Sequence, residues 1–144
     1  MRAAVETAVG VAVVDLDEDE VVELDADLVV TRPAVSLTLP LLVAADRNGA
    51  TIAALVERRP PLLISHDAGS TWHEAGIGLP PGYAIAISPT HPDLMLYASR
   101  TRLHVSRDGG RFWQALTPEL DEIRAVAWLD AETDDRGDPR FRLG

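Results

Sequence analysis

The sequence predicts an all-β fold built from four-stranded antiparallel sheets, and three observations support this prediction. The pattern Ser-x-Asp-x-Gly-x-x-Trp occurs twice, at residues 65–72 and 106–113. The two copies begin 41 residues apart, and short apolar segments typical of strands recur around them at that spacing. No long stretch has the apolar periodicity of an amphipathic helix. The chain therefore repeats one β-unit.

Comparison of the chain with itself at an offset of 41 residues gives the order of strands within the unit. Each unit has an inner strand, a second strand, a third strand that runs into the Ser-x-Asp pattern and a fourth that leaves it at the tryptophan. Inner strands match as LVAADR, YAIAIS and RAVAWL, second strands as IAALVE and DLMLYA, and third strands as PLLIS and RLHVS. Repeats of roughly 40–50 residues are typical of propeller blades. We predict two blades, at about 42–75 and 83–117.

A third blade is predicted from the two ends of the chain. Residues 11–32 contain three strand-like segments without an inner strand, and residues 123–129 form an inner strand without partners. Residues 1–129 then make one propeller-like domain, and residues 130–144 a flexible tail or a docking strap. Propellers typically close with four to eight blades. We expect a homo-oligomer, with a six-bladed dimer favoured, or a subunit of a larger complex; an open sandwich or meander with protected edges is the alternative.

The residues of the repeated pattern have the chemistry of a tight hairpin. A glycine permits positive φ in the turn, and an aspartate can accept hydrogen bonds from backbone N–H groups that follow it. A serine hydroxyl can bond across the hairpin, and a tryptophan can pin the loop to its sheet. We therefore assign a structural role to Ser65, Asp67, Gly69, Thr71, Trp72, Ser106, Asp108, Gly110 and Trp113.

These residues resemble the Asp-box, or BNR repeat, Ser-x-Asp-x-Gly-x-Thr-Trp. The first copy matches it throughout, whereas the second has Phe112 in place of the threonine. The repeat is found in propellers of sialidases, xyloglucanases, sortilin-like receptors and photosystem assembly factors. The resemblance implies blade structure, with the box at the blade periphery and away from a central ligand site.

Bulk composition excludes some classes of partner. The 144 residues carry a formal net charge of −10, which disfavours nucleic acid and anionic lipid. All basic residues are arginine, and the absence of cysteine excludes disulfides and thiolate metal sites. No apolar run is long enough to cross a bilayer and no signal peptide is evident, so we expect a cytoplasmic protein without a membrane span.

No metal or cofactor is expected. The acidic segment 15–27 opens like a calcium loop, but Glu20 stands where such a loop has glycine and Ala26 where it has glutamate. A solvated hairpin tip is favoured, with adventitious calcium binding left open. The four histidines lack the spacing of a helical zinc site.

The resulting functional prediction is a non-catalytic binding or scaffold module whose ring face carries the ligand site, with a protein as the favoured ligand. The alternative is a carbohydrate-binding lectin, in which Trp128, the tryptophan outside the boxes, stacks on a sugar. A glycosidase ranks third. Sialidase resemblance would require an arginine cluster and a tyrosine nucleophile; only Tyr83 and Tyr97 are available, and Arg32-Pro33 is a poor substitute for that family's Arg-Ile-Pro motif.

Overall fold

The computed structural model describes residues 1–129, which form three four-stranded antiparallel sheets and no helix. This confirms the predicted all-β class and the predicted four-stranded units. The tail at 130–144, predicted to be flexible or to dock on a partner, lies outside the described residues. The strands are β1 Arg2–Thr7, β2 Gly10–Asp15, β3 Glu20–Glu23, β4 Leu42–Asn48, β5 Thr51–Val56, β6 Leu62–Ser65, β7 His73–Ala75, β8 Gly82–Ile87, β9 Met95–Ser99, β10 Leu103–Ser106, β11 Gln114–Ala115 and β12 Ile123–Leu129.

Strands from both ends of the chain share one sheet, in the order β12-β1-β2-β3, which we call the terminal sheet. The prediction of its members was wrong at one strand. Residues 28–32 are not a strand, and Arg2–Thr7 occupies the central position between β2 and β12 instead. The physical reason is pairing: β1 satisfies its backbone on both sides and buries Ala3 and Val5 completely, whereas the apolar run at 28–32 has left the sheet.

The two box sheets follow in sequence, the first with the order β4-β5-β6-β7 and the second with the order β11-β10-β9-β8. The inner strands of these two sheets are not related by the 41-residue offset that relates their second strands. Ala44 pairs with Leu55 and Ala86 pairs with Leu96, so the second strands are 41 residues apart but the inner strands are 42 apart. A register shift near the start of each inner strand marks the adjustment.

The second box sheet lies in the middle of a three-sheet stack. One core cluster joins it to the first box sheet through apolar residues such as Leu55, Ile64, Met95 and Tyr97. A larger cluster joins its other face to the terminal sheet and includes Leu96, Leu103, Val5 and Ile123. Inner strand β8 contacts both β4 and β12. Asp46 on β4 also accepts the Ile87 N–H of β8 at 2.7 Å.

Residues 24–41, which we call the connector, join the terminal sheet to the first box sheet. The two other links between sheets, at 76–81 and 116–122, are much shorter. Val30 is buried against Ala4 and Ala125, on the face of the terminal sheet that points away from the stack. Farther along, Pro33 and Val35 line a cavity of about 180 Å³ with residues of all three inner strands. The connector therefore runs beside the otherwise unpaired inner edges and shields them.

Candidate functional site

The first of the two repeated Ser-x-Asp loops, which we call the box loops, is closed by hydrogen bonds centred on Asp67. Its Oδ1 accepts the Thr71 N–H and the Ser65 hydroxyl, both at 2.8 Å, and its Oδ2 accepts the Thr71 hydroxyl at 2.5 Å. The Ser65 oxygen in turn accepts the Gly69 N–H at 2.8 Å. These bonds stabilise the carboxylate and lower the pKa of Asp67 to about 2. Gly69 has φ of 93°, a conformation that favours glycine.

The second loop repeats this frame without the hydroxyl. Asp108 Oδ1 accepts the N–H groups of Phe112 and Arg111 and the Ser106 hydroxyl. These hydrogen bonds lower the pKa of Asp108. Phe112, in the place of threonine, is 79% exposed. Gly110 has φ of 94°, and a Cβ there would collide with Ile64 Cδ1 of the first box sheet.

The two box tryptophans have different surroundings. Trp113 packs against the core cluster between the two box sheets, with its ring centroid 5.9 Å from that of Tyr97. Its indole N–H donates to the Gly110 carbonyl at 3.0 Å. Trp72 lies over its own loop near Gly69 and Ile52, on a sheet face with no neighbouring sheet among residues 1–129. Both loops are thus organised by local structure.

Trp128, the predicted sugar-stacking residue, is half-buried against the core cluster between the second box sheet and the terminal sheet. Its indole N–H donates to the Ala86 carbonyl of inner strand β8 at 3.1 Å. The residue therefore joins two sheets.

The acidic segment forms the turn between β2 and β3 and contacts two neighbouring parts of the molecule. Asp15 caps the turn by accepting the N–H groups of Asp17 and Glu18. Asp17 pairs with the N-terminal ammonium and with Arg107, and Asp19 accepts the Thr117 N–H and hydroxyl from the link before β12. Within residues 1–129, no group of three or more histidine, aspartate or glutamate side chains is arranged to hold a metal ion.

An arginine-lined pocket of about 570 Å³ lies at the end of the stack opposite the two box loops. Loop 57–61, between β5 and β6, provides one wall, and the link that enters β8 provides the other. Three arginines, Arg32, Arg58 and Arg59, and the single acid Glu57 are present in the lining. The walls consist mainly of Val43, Val56, Pro61, Leu79, Pro81, Gly82 and Tyr83.

Arg32 is held in place by backbone carbonyls. Its Nε and Nη2 both donate to the Arg124 carbonyl at the start of β12, and Nη2 also lies 3.5 Å from the Tyr83 carbonyl. Arg58 and Arg59 are exposed. None of the three arginines has an ion pair with a carboxylate among the described residues. The pocket is thus a locally positive site in a chain of formal net charge −10.

No sequence pattern predicts this pocket. Arg32-Pro33 resembles only an imperfect catalytic motif, and Tyr83 is noted in the sequence only as a candidate nucleophile. The structure brings both residues to the pocket with Arg58 and Arg59. The available signal was the Arg-Arg-Pro-Pro run at 58–61, a charged pair next to prolines between two strands.

A second, wider cavity of about 670 Å³ lies between the outer parts of the two box sheets and is lined in part by His73, His104 and Trp113. His104 is buried, its Nδ1 has no hydrogen-bond partner among the described residues, and burial is the main cause of its lowered pKa. The buried Tyr97 donates its hydroxyl to the Pro80 carbonyl, and burial raises the pKa of that phenol. Burial thus disfavours the charged forms of both groups, the imidazolium of His104 and the phenolate of Tyr97.

Comparisons with known proteins give no relative for this chain. No protein-family model, no curated protein and no solved structure matches it. Separately, no helix among residues 1–129 is long and apolar enough to span a membrane.

Proposed function

We propose that the protein is a non-catalytic binding and scaffold module of Asp-box propeller blades, and that it works as a dimer or within a larger complex. One observation carries the proposal. The second box sheet is covered on both faces by its neighbours, whereas each end sheet of the stack has a face that no other sheet covers among residues 1–129. Two copies joined through these faces would supply six blades, a number compatible with a closed ring.

Exposed apolar side chains on the connector side support this assembly. Of the ten large hydrophobic residues exposed within 1–129, six lie in the connector or directly beside it. They are Val22, Leu24, Leu28, Val29, Leu41 and Val43, with Val29 92% exposed. Large exposed apolar patches on soluble proteins mark interaction surfaces. A second copy seated here would bury these side chains as well as the outer faces of the end sheets.

Native mass spectrometry and light scattering of two matched variants test the assembly. We expect the wild-type chain to be a dimer and V29D to be a monomer, because a buried aspartate without a partner is strongly unfavourable at an interface. I77D is the control, since Ile77 is 89% exposed and outside the connector. Both substitutions should change monomer stability by less than about 0.5 kcal/mol. A monomeric wild type that purifies from its host without another protein would contradict the proposal.

Val126 would be a poor probe of the same surface. It is 2% exposed and belongs to the core cluster beneath the terminal sheet, so an aspartate there would unfold the chain before it altered assembly.

We assign no catalytic or carbohydrate-binding role. Trp128 is half-buried and its N–H already has an acceptor, so it offers little of the free aromatic face on which a sugar stacks. Tyr97 is fully buried and bonded to a carbonyl. Glycan-dependent quenching of tryptophan fluorescence would revive the lectin alternative.

A further inference from the structure

We propose that the arginine-lined pocket binds the C-terminus of a peptide, with the free carboxylate on the arginines and the last apolar side chain in the cavity. This inference rests on the proposed binding role and names its ligand. The pocket is complete within one chain, because every residue that lines it belongs to that chain.

The charge of the pocket calls for an anion. Arg32, Arg58 and Arg59 face one cavity, where only Glu57 opposes them. Like charges gathered at one site repel one another, and a bound anion removes that cost. Guanidinium groups bind carboxylates through paired, planar hydrogen bonds that are stronger than neutral ones. An anion with a flat, two-oxygen head therefore matches the donors that the pocket offers.

The arginines also differ in how they are held. Arg32 is already oriented by its bonds to the Arg124 carbonyl, so little freedom is lost when it contacts a ligand. Arg58 and Arg59 extend from the exposed loop 57–61 and can adjust to the position of the carboxylate. The Nε and Nη2 groups of Arg32 already donate to a carbonyl, so Arg32 contributes mainly a fixed positive charge. Arg58 and Arg59 can supply the paired hydrogen bonds to the carboxylate.

The remaining walls specify what accompanies the carboxylate. Val43, Val56, Leu79 and the prolines are apolar, and Val56 and Pro61 are buried in the floor. A volume of about 570 Å³ lies in the range of small-ligand pockets and accommodates one or two residues of a peptide. An aliphatic side chain is favourable there because it removes apolar surface from water.

Other anions fit these walls less well. The hydroxyl groups of a sugar acid would lose water without matching partners, since Tyr83 is the main polar side chain besides the charged ones. A phosphate dianion would meet Glu57 as well as the field of a chain whose formal net charge is −10. A peptide C-terminus is a monoanion, and its backbone N–H groups are the kind of donor that Glu57 can accept.

A pair of dipeptides that differ in one group tests the proposal. Acetyl-Val-Leu with a free carboxylate and acetyl-Val-Leu-amide are titrated into the intact protein, and binding is followed by NMR shifts of the Arg58 and Arg59 Nε–H groups and the Gly82 amide. We expect a dissociation constant on the order of 1 mM for the acid. The amide should bind at least about ten-fold more weakly, because it lacks the charge.

Matched variants locate the binding. R58Q and R59Q should each weaken binding of the acid by about ten-fold. R47Q should not, because Arg47 lies in the hairpin at the other end of the first box sheet, where it donates to the Gly49 carbonyl. Both Arg58 and Arg59 are exposed, so their variants are expected to fold.

Three results would overturn the inference: no shift at 10 mM peptide, equal binding of acid and amide, or equal binding by R58Q, R59Q and the wild type. Native mass spectrometry of the same samples separates this outcome from the failure of the ring. A monomer that binds the acid would end the dimer proposal alone. Failure of both the wild-type dimer and the V29D monomer to bind the acid would end this one alone.

Discussion

The two box loops share a backbone frame but differ in what their tryptophans contact. In both loops, a serine hydroxyl accepts a glycine N–H at 2.8 Å and donates to an aspartate. Trp113 then packs between two sheets, whereas Trp72 covers only its own end sheet. The box sequence therefore determines the turn, while the neighbouring sheet determines how much the tryptophan contributes to stability.

Replacing the two tryptophans should lower the stability of the protein by different amounts. We expect W113A to lower the free energy of unfolding by about 3 kcal/mol, because it opens a cavity between the box sheets and removes an aromatic contact with Tyr97. W72A should cost about 1 kcal/mol, since no sheet lies beyond it. Urea unfolding of both variants at a concentration where the protein is monomeric gives the two values.

Equal losses for the two variants would contradict the distinction between the inner and the end sheet. A loss at W72A that appears only in a dimer would instead place a partner on the outer face of the first box sheet. The same pair of variants therefore also informs the proposed assembly.

The contribution of Asp67 to stability should depend on pH. The pKa of Asp67 falls from an ordinary value of 3.8 to about 2 because Thr71 and Ser65 bond to the charged form. Its contribution to stability is complete above pH 3.8 and is lost as the pH falls through about 2. The melting temperature of wild type should therefore approach that of D67N between pH 4 and pH 2.

T71V provides the control for this pH effect. Without the hydroxyl, the folded pKa of Asp67 should lie closer to its ordinary value, so the gap to D67N should close at a higher pH than in wild type. A gap that stays constant from pH 6 to pH 2 would mean that Asp67 titrates alike in the folded and unfolded chain. D108N should show a change of the same sign, because backbone N–H groups lower the pKa of Asp108.

The fold was more predictable from the sequence than the site, for physical reasons. The box sheets were predictable because the repeated pattern and the short apolar segments around it recur at a spacing of 41 residues. β1 was missed because its residues, Ala3 and Ala4 among them, are small, and its place in the sheet is determined by β12 from the far end of the chain. The run at 28–32 looked like a strand but leaves the sheet, since only Val30 is buried there.

The pocket could not be predicted because its residues are far apart in the chain. Arg32 comes from the connector and Arg58 and Arg59 from loop 57–61, and they meet only after the first two inner strands pack together. Arg32 is also positioned by a backbone carbonyl at Arg124, 92 residues away in the chain. The Arg58-Arg59 pair is visible in the sequence, but no sequence pattern places a third arginine beside it.

A threonine at position 112 should make the two loops more alike. Asp108 Oδ2 has no hydrogen bond to another described residue, whereas the corresponding oxygen of Asp67 accepts the Thr71 hydroxyl. F112T should supply that hydroxyl and raise the free energy of unfolding by about 0.5 kcal/mol. Phe112 is 79% exposed, so its loss removes little buried surface. F112V is the matched control, because it has the branched shape of threonine without the hydroxyl. Stabilisation by F112V equal to that by F112T would assign the gain to shape, and the first loop would then owe its low Asp67 pKa chiefly to the backbone N–H of Thr71.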